Sequence, residues 1–258
     1  MRTNYLPLVL IHGYPLDNSM WFGVIAALGG GLRTVSPDLR GFGKAGPPHG
    51  DPAIEGYAED ILRALKRDKI EKAVVAGMSM GGYVALALAE MAPKTIGGLA
   101  LVNSQCFADT EEARNGRREM IKKVRAEGIG AAVRAVIPRM FAPARAENPD
   151  YQKFVVEGAE AAGVEGICWA LEAMARRPDR SHVVADAEFP ILALHSLDDR
   201  LVPIEKARQM AALNPKVFTV ALQNCGHGAA MELPDEVATP LRKFVEICSE
   251  PQAAEQKA

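Results

Sequence analysis

Three short segments hold residue types that could do chemistry together. Ser79 stands in Gly77-Met78-Ser79-Met80-Gly81, a G-x-S-x-G pentapeptide. Asp198 and Asp199 stand side by side in HSLDDRLVP, and His227 stands in LQNCGHGAAMELP. A serine hydroxyl is a poor nucleophile until an imidazole takes its proton, and that imidazole needs a carboxylate to fix its tautomer and support its charge. Such a set would transfer an acyl group through a covalent intermediate. With 23 glycines in the chain, chance supplies a G-x-S-x-G in about one chain in twenty of this composition. Its surroundings therefore decide.

The elements around Ser79 are those that an exposed nucleophile needs. An apolar run, 72–78, precedes it as a strand, and an Ala/Leu-rich run, 83–91, follows as a helix. A tight strand-to-helix turn drives its central residue into a strained backbone conformation, and side chains two residues to either side would collide. Glycine at 77 and 81 answers that. The hydroxyl then stands at the positive end of a helix.

The same alternation runs along the chain. Strands are predicted at 6–11, 33–38, 72–78, 97–103, 189–196 and 216–222. Helices are predicted at 19–28, 54–69, 83–91, 204–213 and 234–248. Continuous apolar strands alternating with helices imply an α/β chain, with a parallel sheet covered on both faces. From Phe107 to Ala187 the pattern is helical with no convincing strand, which predicts a helical insertion over one end of the sheet. The expected division is a core of 1–106 and 188–248, a cap of 107–187 and a flexible, polar tail of 249–258.

This framework sorts the candidates. His195 falls at a strand end among apolar residues and reads as structural. His227 falls in a glycine-flanked loop after the last strand, at the carboxyl edge where open α/β sheets keep their sites. Asp198 and Asp199 both follow the fifth strand. Neighbours point different ways, so only one can face His227, and residue type leaves both open. Asp38 and Arg40 read as holding the loop after the second strand. The basic run Arg114 to Arg125 reads as the solvated face of an insertion helix.

Composition narrows the partners. The chain has 258 residues, of which 48% are hydrophobic, and a net charge of −2. That supports a large core and gives no basic surface for nucleic acid or an anionic membrane. The run Leu6 to Ile11 is too short for a membrane span and lacks a cleavage signature. Four widely spaced cysteines form no C-x-x-C and are expected as reduced thiols in the cytoplasm. No metal or organic cofactor is expected.

The segments LVLIHGYPLDNSMW, SPDLRGFGKAG, VVAGMSMGGYVALALAEMAP, LALVNSQCFADTEEARNGRREM, MARRPDRSHVVADAEFPILALHSLDDRLVP and NCGHGAAMELPDEV lie in order along nearly the whole chain. Together they resemble the alpha/beta-hydrolase superfamily, and within it the capped serine hydrolases of the 3-oxoadipate enol-lactonase-like, carboxylesterase and non-haem-peroxidase-like group. The resemblance implies a triad of Ser79, Asp199 and His227, with the acid placed four residues before the proline of D-x-x-x-P, here Pro203. It implies an oxyanion hole from the backbone N–H groups of Met80 and Tyr14. The N-terminal hairpin common in the family is expected to be missing, leaving about six parallel strands. Met78 and Ala45 stand where His and Ser are frequent. Ser79 separates the chain from relatives with an aspartate nucleophile, the haloalkane dehalogenases and epoxide hydrolases.

The activity implied is hydrolysis of a small-molecule carboxylic ester. Alternatives are hydrolysis of an enol-lactone, perhydrolysis in which peroxide replaces water, and, in another class, ligand binding by a receptor without turnover. Trp21, Phe107, Met140, Phe141 and Trp169 are candidates for an apolar pocket beneath the cap, although each residue type is more often core. Oligomeric state is not legible.

Overall fold

The computed structural model describes residues 5–255. Six strands form one sheet: β1 (Leu8–Ile11), β2 (Thr34–Val35), β3 (Ala73–Met78), β4 (Ile96–Val102), β5 (Ile191–Ser196) and β6 (Val217–Leu222). Their order is β2-β1-β3-β4-β5-β6, and every neighbouring pair is parallel. β1, β3, β4 and β5 are buried on every residue, as expected for strands covered on both faces.

Side chains alternate between two cores. Val9, Ile11, Val75, Leu99 and Leu101 face one, and Leu8, Leu10, Val74, Ala76 and Ala100 face the other. The first core is closed by α2 (Ile54–Arg67), α3 (Met80–Met91) and α9 (Glu205–Leu213); the second by α1 (Phe22–Leu28) and α11 (Pro234–Glu255). In α3 every residue from Met80 to Ala89 is buried, so this helix is apolar all round rather than striped.

Between β4 and β5 the chain is helical: α4 (Glu111–Glu127), α5 (Gly130–Met140), α6 (Pro143–Ala146), α7 (Pro149–Arg176) and α8 (Ser181–Ala185). Gly163, at φ 63°, breaks the helical path inside α7. The second half of α7 lies directly on the core loops. A Cβ on Gly166 would sit 2.3 Å from the Gly41 carbonyl. A four-residue helix, α10 (Ala229–Glu232), follows the His227 loop.

Three boundaries differ from the sequence expectation. β2 is two residues long, because Ser36 is drawn into polar contacts: its carbonyl accepts Asn18 Nδ2 at 2.9 Å, and Pro37 has no N–H for the ladder. α3 begins at Met80, because Gly81 and Gly82 serve close packing and do not delay the helix. α11 continues past Cys248 to Glu255, so the chain from 249 is not a free tail. Ser249 is buried, accepts the Leu6 N–H at 3.0 Å and donates to the Val245 carbonyl at 2.7 Å. The tail's last residues, 256–258, lie outside the described residues. Among the described residues no helix is long and apolar enough to cross a membrane.

Candidate active site

Ser79 occupies the turn between β3 and α3 with φ 53° and ψ −116°, a left-handed backbone that a side chain adopts only under constraint. The constraint is steric. A Cβ on Gly77 would lie 2.1 Å from the Gly81 carbonyl, and one on Gly81 would lie 2.2 Å from the Ile11 carbonyl. The chain therefore turns more tightly than any side chain at 77 or 81 permits. Gly13 packs from the other side, its Cβ position 3.4 Å from the Ser79 Cβ. The neighbouring strand completes the socket: Ser79 N–H donates to the Val102 carbonyl at 3.0 Å, and Ser104 Oγ donates to the Ser79 carbonyl at 2.7 Å.

The loops after β1 and β2 are locked together by His12. Its Nε2 accepts the Leu39 N–H at 3.0 Å and its Nδ1 reaches the Gly13 carbonyl at 3.1 Å, so the proton sits on Nδ1. Full burial favours the neutral ring and lowers its pKa. This fixes Gly13 and the residue after it, Tyr14, beside the elbow. Met80 is the first residue of α3, where the N–H has no intrahelical acceptor.

The two aspartates separate cleanly. Asp198 is exposed, whereas Asp199 is buried. Asp199 Oδ2 lies 2.7 Å from His227 Nδ1, and its Oδ1 accepts the N–H groups of Leu201 and Val202, both at 2.8 Å. Burial alone would raise the Asp199 pKa. The His227 ring and the two backbone donors outweigh it and hold the carboxyl below its usual range. A carboxylate on Nδ1 directs the other ring nitrogen, Nε2, to act as base. His195, fully buried, reaches the Val202 carbonyl through Nε2 at 2.7 Å and stays 3.9 Å from Asp199.

Ser79, His227 and Tyr14 line one cavity of about 660 Å³ at the carboxyl edge of the sheet, roofed by α4, α5 and α7. One part of its wall is apolar, with Met120, Ala132, Val136 and Leu171; another is polar, with Gln105, Asp109 and Arg117. A groove of about 780 Å³ lies at the amino ends of β3, β4 and β5, beside Lys72, Gly97 and Pro190, away from all of these groups.

None of the five aromatic and methionine candidates lines the cavity. Trp21 is fully buried among α1 and α11. Met140 and Phe141 support the His227 loop from outside: the Met140 carbonyl accepts the Gly228 N–H at 2.7 Å. Trp169 faces Gly50, its Nε1 donating at 3.3 Å, and packs edge-on against Tyr57. Phe107 lies under Lys206. These five pack elsewhere, and the bulky residues of the wall are Tyr14, Tyr83, Met120 and Met174.

The basic run on α4 is also divided. Arg118, Lys122, Lys123 and Arg125 are exposed as expected, but Arg117 turns inward. Its Nε donates to Asp109 at 2.6 Å, and Asp109 is shared with buried Arg177 at 2.7 Å. Arg177 in turn lies 3.9 Å above the Tyr83 ring. The only signal for Arg117 in the sequence is its helical phase with Ile121 and Val124, the buried positions of α4. Asp38 and Arg40 hold loops as expected. Asp38 accepts the N–H groups of Asn18 and Lys44, and Arg40 pairs with Asp60 and reaches the carbonyls of His49 and Gly56.

Sequence reasoning missed Glu232. Its buried carboxylate accepts the Gly226 N–H at 2.8 Å and the Ala142 N–H at 3.0 Å, joining the His227 loop to the helical insertion. A glutamate six residues from its loop partner leaves no pattern to read.

A doubly covered parallel sheet with a serine elbow, and a histidine–carboxylate pair at its carboxyl edge, defines a class of protein as well as a shape. The chain belongs to the alpha/beta hydrolase family, whose model matches residues 8–239. It is 27% identical over 261 residues to a pimeloyl-[acyl-carrier protein] methyl ester esterase of Aromatoleum aromaticum, covering 92% of this chain and 97% of that one. Among solved structures it is similar to a thermophilic esterase from Thermogutta terrifontis, with 32% identity, TM-score 0.89, and 95% and 90% of the two chains covered. It is also similar to the enol-lactonase of Burkholderia xenovorans, with 26% identity, TM-score 0.85, and 95% and 94% covered.

Proposed function

We propose that the protein hydrolyses a small-molecule carboxylic ester through an acyl-enzyme on Ser79. The observation that carries this reading is the Asp199–His227 contact of 2.7 Å, opening on the same cavity as a serine held at positive φ. Ser79 Oγ attacks the ester carbonyl while His227 Nε2 removes its proton. The N–H groups of Met80 and Tyr14 receive the developing oxyanion. His227 then protonates the leaving alcohol, deprotonates a water that attacks the acyl-enzyme, and returns the proton to Ser79. Asp199 stays ionised and supports the imidazolium in both halves. Residues 107–187 act as the cap that selects what reaches Ser79. Four buried, unpaired cysteines favour a reducing compartment, the cytoplasm.

Lactone hydrolysis is the second reading, favoured by Arg117 in the cavity wall, where a cation could meet a substrate carboxylate. The test is a panel of p-nitrophenyl esters, lactones and enol-lactones run beside Ser79→Ala. The variant is expected to fold and to lose turnover by at least about 10³-fold. Wild-type turnover in the variant would sink the mechanism. Tight ligand binding without turnover in the wild type would mark a receptor instead.

A further inference from the structure

We propose that Asn103 is a positioning residue that sets His227 against Ser79, working from the carboxyl end of β4. The inference rests on the proposed acyl-enzyme reading. Three consecutive residues, Val102, Asn103 and Ser104, touch both the Ser79 turn and the His227 loop. Val102 and Ser104 hold the backbone of Ser79, as described above. Asn103, between them, points the other way and holds the base.

Asn103 is completely buried, and its backbone has φ 45°, in the left-handed region that asparagine enters more readily than most residues. Its Nδ2 lies 3.0 Å from the Gly226 carbonyl and 2.9 Å from the His227 carbonyl. Its Oδ1 accepts the Ser196 N–H at 3.0 Å, and its own N–H donates to the Leu194 carbonyl at 2.9 Å. The amide can point only one way. Both carbonyls are acceptors only, so they face the two hydrogens of Nδ2. The Ser196 N–H is a donor only, so it faces Oδ1.

The remaining protons then fall into place. The Ser196 hydroxyl lies 2.9 Å from Nδ2 and 3.2 Å from Oδ1 and donates to Oδ1, and the Cys225 thiol, 3.2 Å from Ser196 Oγ, donates to that hydroxyl. The buried side-chain polar atoms of Asn103 and Ser196 all have partners, which is the condition under which such a network rigidifies a site. One amide therefore joins the end of β4, the end of β5 that leads to Asp199, and the main chain of His227. Because β4 also carries the socket of Ser79, the separation of nucleophile and base is defined through a single strand. A displacement on the order of 1 Å at a reacting group lowers rate by about 100-fold.

The variant that isolates the amide is Asn103→Gly, since glycine accepts the positive φ without strain. With p-nitrophenyl acetate we expect kcat to fall by about 100-fold, with KM within about twofold. In a His227→Ala background the same substitution should lower the residual single-turnover rate by no more than about threefold, because no imidazole is left to misplace. Asn103→Asp has the same size, keeps the acceptor for the Ser196 N–H and sets a carboxylate oxygen against the Gly226 and His227 carbonyls and beside the Ser196 hydroxyl. It supplies the same readout should the glycine variant melt below the assay temperature. A kcat within about threefold of wild type in a folded variant, or an undiminished loss in the His227→Ala background, overturns the proposal. If Ser79→Ala retains turnover, the acyl-enzyme reading has failed. If Ser79→Ala is inactive and Asn103→Gly is not impaired, only the role of Asn103 has failed.

Discussion

At the Ser79 elbow, backbone holds backbone. Gly77 and Gly81 leave no room for a Cβ, and the carbonyls of Ile11 and Val102 close around the turn. The His227 loop is held in another way. Asp199 takes its ring, Asn103 its carbonyls, and Glu232 the N–H of the residue before it. Absent side chains set the elbow, with Ser104 adding one hydroxyl, whereas the loop, close-packed at Gly226 as well, owes its orientation to side chains that are present. Steric constraints of the first kind fail all at once, because two backbones cannot overlap. Polar constraints of the second kind can be removed singly, with catalysis changing more than the fold. That division suits the proposed mechanism, in which the serine stands still and the orientation of the imidazole is set to fractions of an ångström.

The sharpest probe of the polar side is Asp199→Asn, which preserves shape and removes the charge beside His227. Its kcat for a p-nitrophenyl ester should fall by about 10⁴-fold. Asp198→Asn, on the exposed neighbour, should stay within about twofold. A larger loss at Asp198 would reverse the assignment. On the steric side, Gly77→Ala forces the new methyl into Gly81 and should destabilise the fold by about 3 kcal/mol or more. Thermal denaturation would read this, and a melting temperature within 2 °C of wild type, an interval of about 1 kcal/mol for a chain this long, would contradict the steric account.

A smaller effect follows from the ionisation of Asp199, whose folded pKa lies below its ordinary value of 3.8. A depressed carboxyl contributes stability that is complete above the unfolded pKa and is lost as pH falls through the folded one. Wild type should therefore melt above Asp199→Asn at neutral pH, with the margin narrowing below about pH 3.8. A margin that widens on acidification would mean the pair is not ionised as described.

The physics of each region also explains how far it could be read in advance. Gly77 and Gly81 are visible in sequence because only glycine meets their demand, and a local turn leaves a local pattern. His227 is visible by its loop and by strand order. The choice of Asp199 came from a resemblance, through the spacing to Pro203, and the separation in burial between Asp198 and Asp199 agrees with it. Asn103, Glu232 and Arg117 were not visible. Asn103 and Glu232 each have a partner about ninety or more residues away, Arg117 bonds a loop aspartate before its helix, and their types are ordinary where they stand.

The cavity wall is the plainest case. Trp21, Phe107, Met140, Phe141 and Trp169 have the bulk and hydrophobicity of pocket residues, yet they pack elsewhere, because those properties serve a core equally well. What the sequence determined by itself was the alternation of strand and helix, the elbow, and the order along the chain of Ser79, the Asp198–Asp199 pair and His227. These are written in short-range periodicity and in glycines that no other residue can replace. What only the tertiary structure decided was which side chains meet across the carboxyl edge of the sheet. That depends on how α4, α5 and α7 fold back over β3, β4 and β5, a long-range packing in which many residues of similar chemistry compete for the same places.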